Sequence, residues 1–326
     1  MYSEVVLVLV RFWGTRGSLP TAMRTSEVRD KLIGALKSAN GRHFQSGTDI
    51  QNFVDNELDF PVRATYGGAS SCVELDGASD EYLVCDMGSG LREFGLDAMR
   101  RSREGRGKTY NIFMSHLHWD HIMGFPFFVP AFDPDVTIRI FGGHDTIEQA
   151  LRRQQEKISF PVPFDFLKAR FEFTTLVPGE VAEVAGCRIE LLRQHHDNDS
   201  YGYRFSCNGK SVVYSTDSEH KLEDRISMQQ FVDFFRDADL VIMDTMYSLA
   251  DAVSMKADWG HSSNVVAVDL CHRSKAKRLA MFHHEPIFDD KMIRRIHLDT
   301  IRYEELMRKE STLEVLCAYD GFEVPL

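Results

Sequence analysis

The sequence predicts a layered α/β protein, with two sheets and helices on their outer faces. Three observations carry this. Apolar runs of strand length recur through both halves of the chain. Helix-favouring polar stretches separate them in each half. No repeat, low-complexity tract or Pro/Gly/Ser linker divides the 326 residues, which predicts one domain over 1–326. Stacking helices on sheets lets every such element bury its apolar face.

In chain order, EVVLVLVRFW, SSCVEL, EYLVCDMG, TYNIFMSH and VTIRIFGG read as strands. Residues 25–58 interrupt them with SEVRDKLIGALKSA and DIQNFVDNEL, which predict an inserted helical arm covering a pocket or a dimer surface. The dense basic run RRSREGRGK (100–108) reads as a solvated loop, with substrate steering as the lesser alternative. HDTIEQALRRQQEK (144–157) predicts a helix and ISFPVPFDF a loop. In the second half FEFTTL, VAEVAGCRIELLRQ, GYRFSCNG and SVVYSTD predict strands, EDRISMQQFVDFFRDA a helix and DLVIMDT a buried strand. SSNVVAVDLCHRS predicts a helix leading to the strand RLAMFHH. Ile293, Ile296, Thr300, Tyr303 and Met307 step by three and four, one face of an amphipathic helix. TLEVLCAYDGFEVPL closes with strand pairing.

Composition narrows the function. A net charge of −11 argues against binding nucleic acid by bulk attraction to phosphate. No run of 18 uncharged apolar residues is present, so no membrane span is expected. The opening MYSEVVLVLVRFWG lacks a basic start and a cleavage site, so it reads as a strand rather than a signal peptide and predicts a cytoplasmic protein. The six cysteines (72, 85, 187, 207, 271 and 317) form no CxxC pair and mostly lie in apolar runs, which predicts reduced, buried thiols.

The chemistry is concentrated in SHLHWDHIMG, where His116, His118, Asp120 and His121 follow a predicted strand. Imidazole nitrogens with carboxylate oxygens suit zinc, and also manganese or iron. Four donors so close exceed the need of one tetrahedral ion once others arrive, which predicts two divalent ions. Other candidates stand at strand ends: His195 and His196 in LLRQHHDND, Asp217 in VVYSTDSE, and His283 and His284 in LAMFHHEP. Asp217 is the natural bridge, because a carboxylate offers one oxygen to each ion. One member of each histidine pair is expected to be a ligand and the other a supporting or surface residue.

This constellation resembles the metallo-β-lactamase superfamily over nearly the whole chain. His116, His118, Asp120 and His121 match its signature, and later ligands fall in order at His196, Asp217 and His283. VRFWGTRGSLPT, TYGGASSCVEL, CDMGSGLREFG, YGYRF, YSTDSE, WGHSS and FHHEP look like the branch holding tRNA-processing (RNase Z-like) endonucleases and cyclic-phosphate phosphodiesterases, most of all its cyclic-nucleotide phosphodiesterases. The resemblance implies a four-layer αββα sandwich. Two departures bear on substrate choice. Ala69 and Ser70 stand where the group has Asn-Thr, and Asp197, Asn198 and Asp199 where it has Pro-Gly-Gly.

The expected activity is hydrolysis of a cyclic nucleotide or similar small phosphodiester by a metal-activated hydroxide. Asp120 is expected to be a ligand that also orients or deprotonates the nucleophile. The resemblance makes His261 a general acid or transition-state stabiliser, with Asp244 holding its imidazole. Asp86 is expected to support a ligand histidine, and Arg16 to touch phosphate or pair with an internal carboxylate. The glycines of YGGAS and DMGSG offer backbone N–H groups to the metals or make tight turns. Trp119 and Phe125 read as core residues, with base stacking as the alternative. A homodimer rests on the family. Three competing readings stand: a tRNA-processing endoribonuclease, a lactone, thioester or β-lactam hydrolase, and a nucleotide-binding protein that has lost turnover.

Overall fold

The computed structural model describes residues 8–77, 79–220, 225–247, 261–308 and 311–326. The first part of the predicted strand EVVLVLVRFW, the first two residues of EDRISMQQFVDFFRDA and the first two of WGHSS lie outside the described residues.

The strands are β1 (Leu9–Gly14), β2 (Cys72–Asp76), β3 (Tyr82–Cys85), β4 (Thr109–Met114), β5 (Thr137–Gly142), β6 (Arg170–Thr175), β7 (Val181–Val184), β8 (Cys187–Gln194), β9 (Ser200–Cys207), β10 (Lys210–Ser215), β11 (Leu240–Asp244), β12 (Arg278–Phe282), β13 (Glu314–Cys317) and β14 (Glu323–Pro325). The helices are α1 (Thr25–Ala39), α2 (Gly47–Asn56), α3 (Phe60–Arg63), α4 (Leu91–Arg103), α5 (Trp119–Ile122), α6 (Ile147–Gln154), α7 (Arg225–Phe235), α8 (Asn264–Ser274) and α9 (Asp290–Met307).

The strands form two seven-stranded sheets, in the orders β14-β1-β2-β3-β4-β5-β6 and β13-β12-β11-β10-β9-β8-β7. One apolar core lies between the sheets: Phe12, Val73 and Phe113 of the first meet Tyr203, Tyr214 and Ile242 of the second. A second core packs α7, α8 and α9 on the far face of the second sheet, and a third packs α4 and α6 on the far face of the first. β11 shows how one strand serves two cores: Leu240 and Ile242 face the first sheet, while Val241 and Met243 face the helices. Side chains alternate along a strand, so a strand buried on both faces reads as an unbroken apolar run. The result is the expected αββα sandwich.

Three expectations change. VAEVAGCRIELLRQ is not one strand but a hairpin, β7 and β8, turned at Ala185 and Gly186, both at positive φ. Arg100–Arg103 of the basic run form the last turn of α4 rather than a loop, and its cations are mostly paired: Arg101 with Glu74, Arg106 with Asp76, Lys108 with Asp133. The C-terminal run closes with strand pairing as expected, β13 joining β12 in one sheet and β14 joining β1 in the other. The six cysteines are not all thiols: Cys187 and Cys207 are joined in a disulfide, while Cys72, Cys85, Cys271 and Cys317 are buried and free. The register explains the pair. β8 and β9 run antiparallel with Arg188 opposite Ser206, which puts the two cysteines face to face, Cα atoms 4.7 Å apart.

The helical arm exists as α1 and α2. No residue of α1 is buried, and Val28, Leu32 and Leu36 are exposed at 44%, 62% and 72%. Among the described residues no helix is long and apolar enough to cross a membrane.

Candidate metal centre

β3 and β4 run parallel, as do β10, β11 and β12, and β8 points the same way as β10 because each is antiparallel to β9. The candidate residues lie at or just beyond the carboxyl ends of these strands. Asp86 follows β3, His116 to His121 follow β4, His196 follows β8, Asp217 follows β10, Asp244 ends β11, and His283 follows β12. Three of them leave their strands in the left-handed region: Asp86 at φ +61°, Asp217 at +49° and His283 at +61°. That conformation costs a non-glycine residue roughly 1–2 kcal/mol, and such residues cluster at functional sites.

The structure brings His116, His118 and His196 into one group and Asp120, His121, Asp217 and His283 into another, the donor atoms of each lying within 4.8 Å of one another. Asp217 joins them. Its Oδ1 is 3.9 Å from Nε2 of both His116 and His196. Its Oδ2 is 3.2 Å from Nε2 of both His121 and His283. Asp120 Oδ2 completes the second group at 3.2 Å from His121 and 3.3 Å from His283. The unused member of each histidine pair goes elsewhere. His195 is exposed and bonds Ser227, while His284 donates to the Ala318 carbonyl at 2.8 Å.

The donors fit divalent cations. Nε2 of His116 and of His121 are buried with no hydrogen-bond partner, a costly state unless a ligand satisfies them. Burial alone would lower the His121 pKa, but Asp120, Asp217 and Asp86 outweigh it and raise it well above the ordinary value. Such crowding of carboxylates is what a cation would neutralise. Burial and the neighbouring His121 push His116 down, which suits a neutral imidazole ligand.

The surroundings fix the ligands. Asp86 accepts from His121 Nδ1, Ser115 Oγ and Tyr214 Oη, each at 2.7 Å. Carboxylates so placed set the ring's tautomer and orientation. Thr216 Oγ1 donates to Asp217 Oδ2 at 2.6 Å, and the Ser18 N–H donates to Asp120 Oδ2 at 2.8 Å. Sequence reading missed Ser115, Tyr214, Thr216 and Ser18. Each lies within a quoted motif, but nothing in its spacing marks it. His261 Nδ1 donates to Asp244 Oδ2 at 2.7 Å and lies 3.9 Å from Asp217 Oδ1. Burial alone would lower the His261 pKa; Asp244 dominates and raises it to about 9.

Several candidates stand elsewhere. Arg16 is buried, and its guanidinium donates to the carbonyls of Gly67, Phe288 and Glu285 rather than to phosphate or a carboxylate. The N–H groups of Gly68 and Ala69 donate to Asp320, not toward the metal ligands. Gly88 matters by lacking a side chain: a Cβ there would stand 2.4 Å from the Asp120 carbonyl. Phe125 is core, but Trp119 is 80% exposed. Ser70 retains a hydroxyl, which donates to the Asp120 carbonyl at 2.7 Å. Asn198 and Asp199 adopt φ of +59° and +60°, the backbone that two glycines would supply.

Residues 82–284 match the model of the beta-lactamase superfamily domain. A ribonuclease Z of Picrophilus torridus is 22% identical over 225 residues, 55% of this chain and 70% of that relative. The metallo-beta-lactamase fold protein YhfI of Bacillus subtilis superposes with a TM-score of 0.63 at 18% identity, covering 98% of this chain and 99% of YhfI. Unliganded yeast PDE1 superposes with a TM-score of 0.65 at 14% identity, covering 98% of this chain and 100% of PDE1.

Proposed function

Because the chain belongs to the metallo-β-lactamase superfamily, on its ribonuclease Z-like branch, and is a metal-dependent hydrolase of phosphodiesters, we propose that its substrate is a small phosphodiester such as a cyclic nucleotide. One observation carries the reading: the two oxygens of Asp217 face two separate groups of donors. Two divalent cations, zinc before manganese or iron, would be held by His116, His118 and His196 with Oδ1 and by Asp120, His121 and His283 with Oδ2, and would acidify a water and neutralise phosphoryl charge.

The chain's own residues supply the rest. Asp120, anchored by the Ser18 N–H, orients the attacking oxygen and accepts its proton. Asp244 takes the Nδ1 hydrogen of His261. That leaves Nε2 to give its proton to the departing alkoxide, and the Asp244 carboxylate favours the protonated ring. The reading includes one domain in the cytoplasm and a homodimer through the exposed face of α1, which light scattering reads directly.

The relatives named ribonuclease Z favour a second reading, cleavage of precursor tRNA. The net charge of −11 weighs against it. One experiment separates them: elemental analysis joined to turnover of cyclic mononucleotides, bis(p-nitrophenyl) phosphate, a lactone panel and a precursor tRNA at low salt. We expect two ions per chain and turnover of small diesters. No diester turnover with metal bound discards the proposal; faster tRNA or lactone cleavage replaces it.

A further inference from the structure

We infer that Trp119 is a stacking platform for a planar aromatic group, a nucleobase, on the substrate of this centre. The inference rests on the diester reading above and deepens it. Trp119 stands between the ligand candidates His118 and Asp120, in the four-residue helix α5. Its helix neighbours Asp120, His121 and Ile122 are 6%, 0% and 4% exposed, whereas Trp119 is 80% exposed. A tryptophan left in water forgoes burial of a large apolar surface, so this exposure asks for a reason that core packing does not give.

Its place supplies one. His118, the half-buried ligand candidate, marks where the donor cluster meets solvent. Successive Cα atoms are about 3.8 Å apart, so the indole leaves the chain one residue from His118. Exposed apolar surface continues in the segment that follows α5. Gln154 Nε2 donates to the Ile122 carbonyl at 3.0 Å and draws the loop after α6 onto α5. Phe160 of that loop meets Phe127, 54% exposed, with ring centroids 5.5 Å apart. A phosphodiester held at this donor cluster would extend its organic substituent past His118, and an exposed indole stacks on any base because every base has a π-face.

The test uses full-length, metal-loaded wild type, Trp119→Ala and Trp119→Phe. Substrates are adenosine 2′,3′- and 3′,5′-cyclic phosphates, each beside its base-free ribose counterpart, followed by phosphorus NMR. In W119A the KM for the nucleotides should rise about five- to hundredfold, while the base-free esters change less than about twofold; W119F should restore most of the difference. A second readout is independent of turnover: adenosine 5′-monophosphate should quench the tryptophan fluorescence of wild type and not that of W119F. Equal KM changes for esters with and without the base, or equal quenching in both proteins, overturns the assignment. Should wild type hydrolyse no diester, the diester reading fails, and the quenching comparison still decides whether Trp119 stacks.

Discussion

Asp244 sets what His261 can do. A general acid must hold its proton, so activity falls as pH rises through its pKa, which Asp244 raises. Replacing Asp244 by Asn removes the charge that opposes burial. We expect the alkaline limb of the kcat profile to move to lower pH and kcat at neutrality to fall about 10²–10⁴-fold; an unmoved limb removes His261 from the role. His220 offers a stability test away from the chemistry. Both its ring nitrogens are buried without a partner, and burial, with His195 adding, lowers its pKa to about 3 against an ordinary 6.5. Between those values the unfolded chain binds a proton that the folded chain refuses. Stability therefore drops as pH falls below about 6.5, by about 1.4 kcal/mol per pH unit. His220→Leu should lose about 2 kcal/mol less than wild type between pH 7 and 5 in urea titrations, and equal losses would contradict the assignment. Asp217 and His283 were legible because a ligand-type residue at the end of an apolar run is uncommon. Ser18 was not, because it acts through its backbone N–H, which any residue carries.

Turns decided what strand patterns could not. The hairpin between β7 and β8 was read as a single strand because VAEVAGCRIELLRQ keeps its apolar character through Ala185. Ala185 and Gly186 both take positive φ, +51° and +78°, the two-residue turn that suits Asn-Gly. Ala185→Asn should stabilise the protein by roughly 0.5–1 kcal/mol, since asparagine tolerates the left-handed region better than alanine; an unchanged urea midpoint would show that this turn carries no such strain. The helix α4 escaped notice for the opposite reason. Its buried face needs only Leu91, Phe94 and Ala98, and its arginine-rich end resembles a loop. In α9 the predicted stripe held at Ile293, Ile296 and Thr300, but its last buried residue is Glu304 rather than Met307. Arg308 and the Leu313 N–H bond the Glu304 carboxylate there, and buried charge is tolerated when so paired.

At the scale of the molecule, the metal ligand candidates tie the two sheets together: His116, His118, Asp120 and His121 come from the first, His196, Asp217 and His283 from the second. Cations bound there stabilise the folded state by mass action, about 2.7 kcal/mol for one site at a hundredfold excess over Kd. Chelation should therefore lower the calorimetric Tm by several degrees, with recovery on adding zinc or manganese; a Tm indifferent to chelation would mean that the centre binds no structural cation. The sequence by itself determined the layers, because strands buried on both faces must be apolar throughout, and it determined the ligand types, because that chemistry needs imidazoles and carboxylates at strand ends. Only the tertiary structure decided the partners. Sheet order and strand register set Cys187 against Cys207, gave Arg16 to carbonyl oxygens and left Trp119 in water, and such long-range contacts depend on how distant segments pack, which no local spacing records.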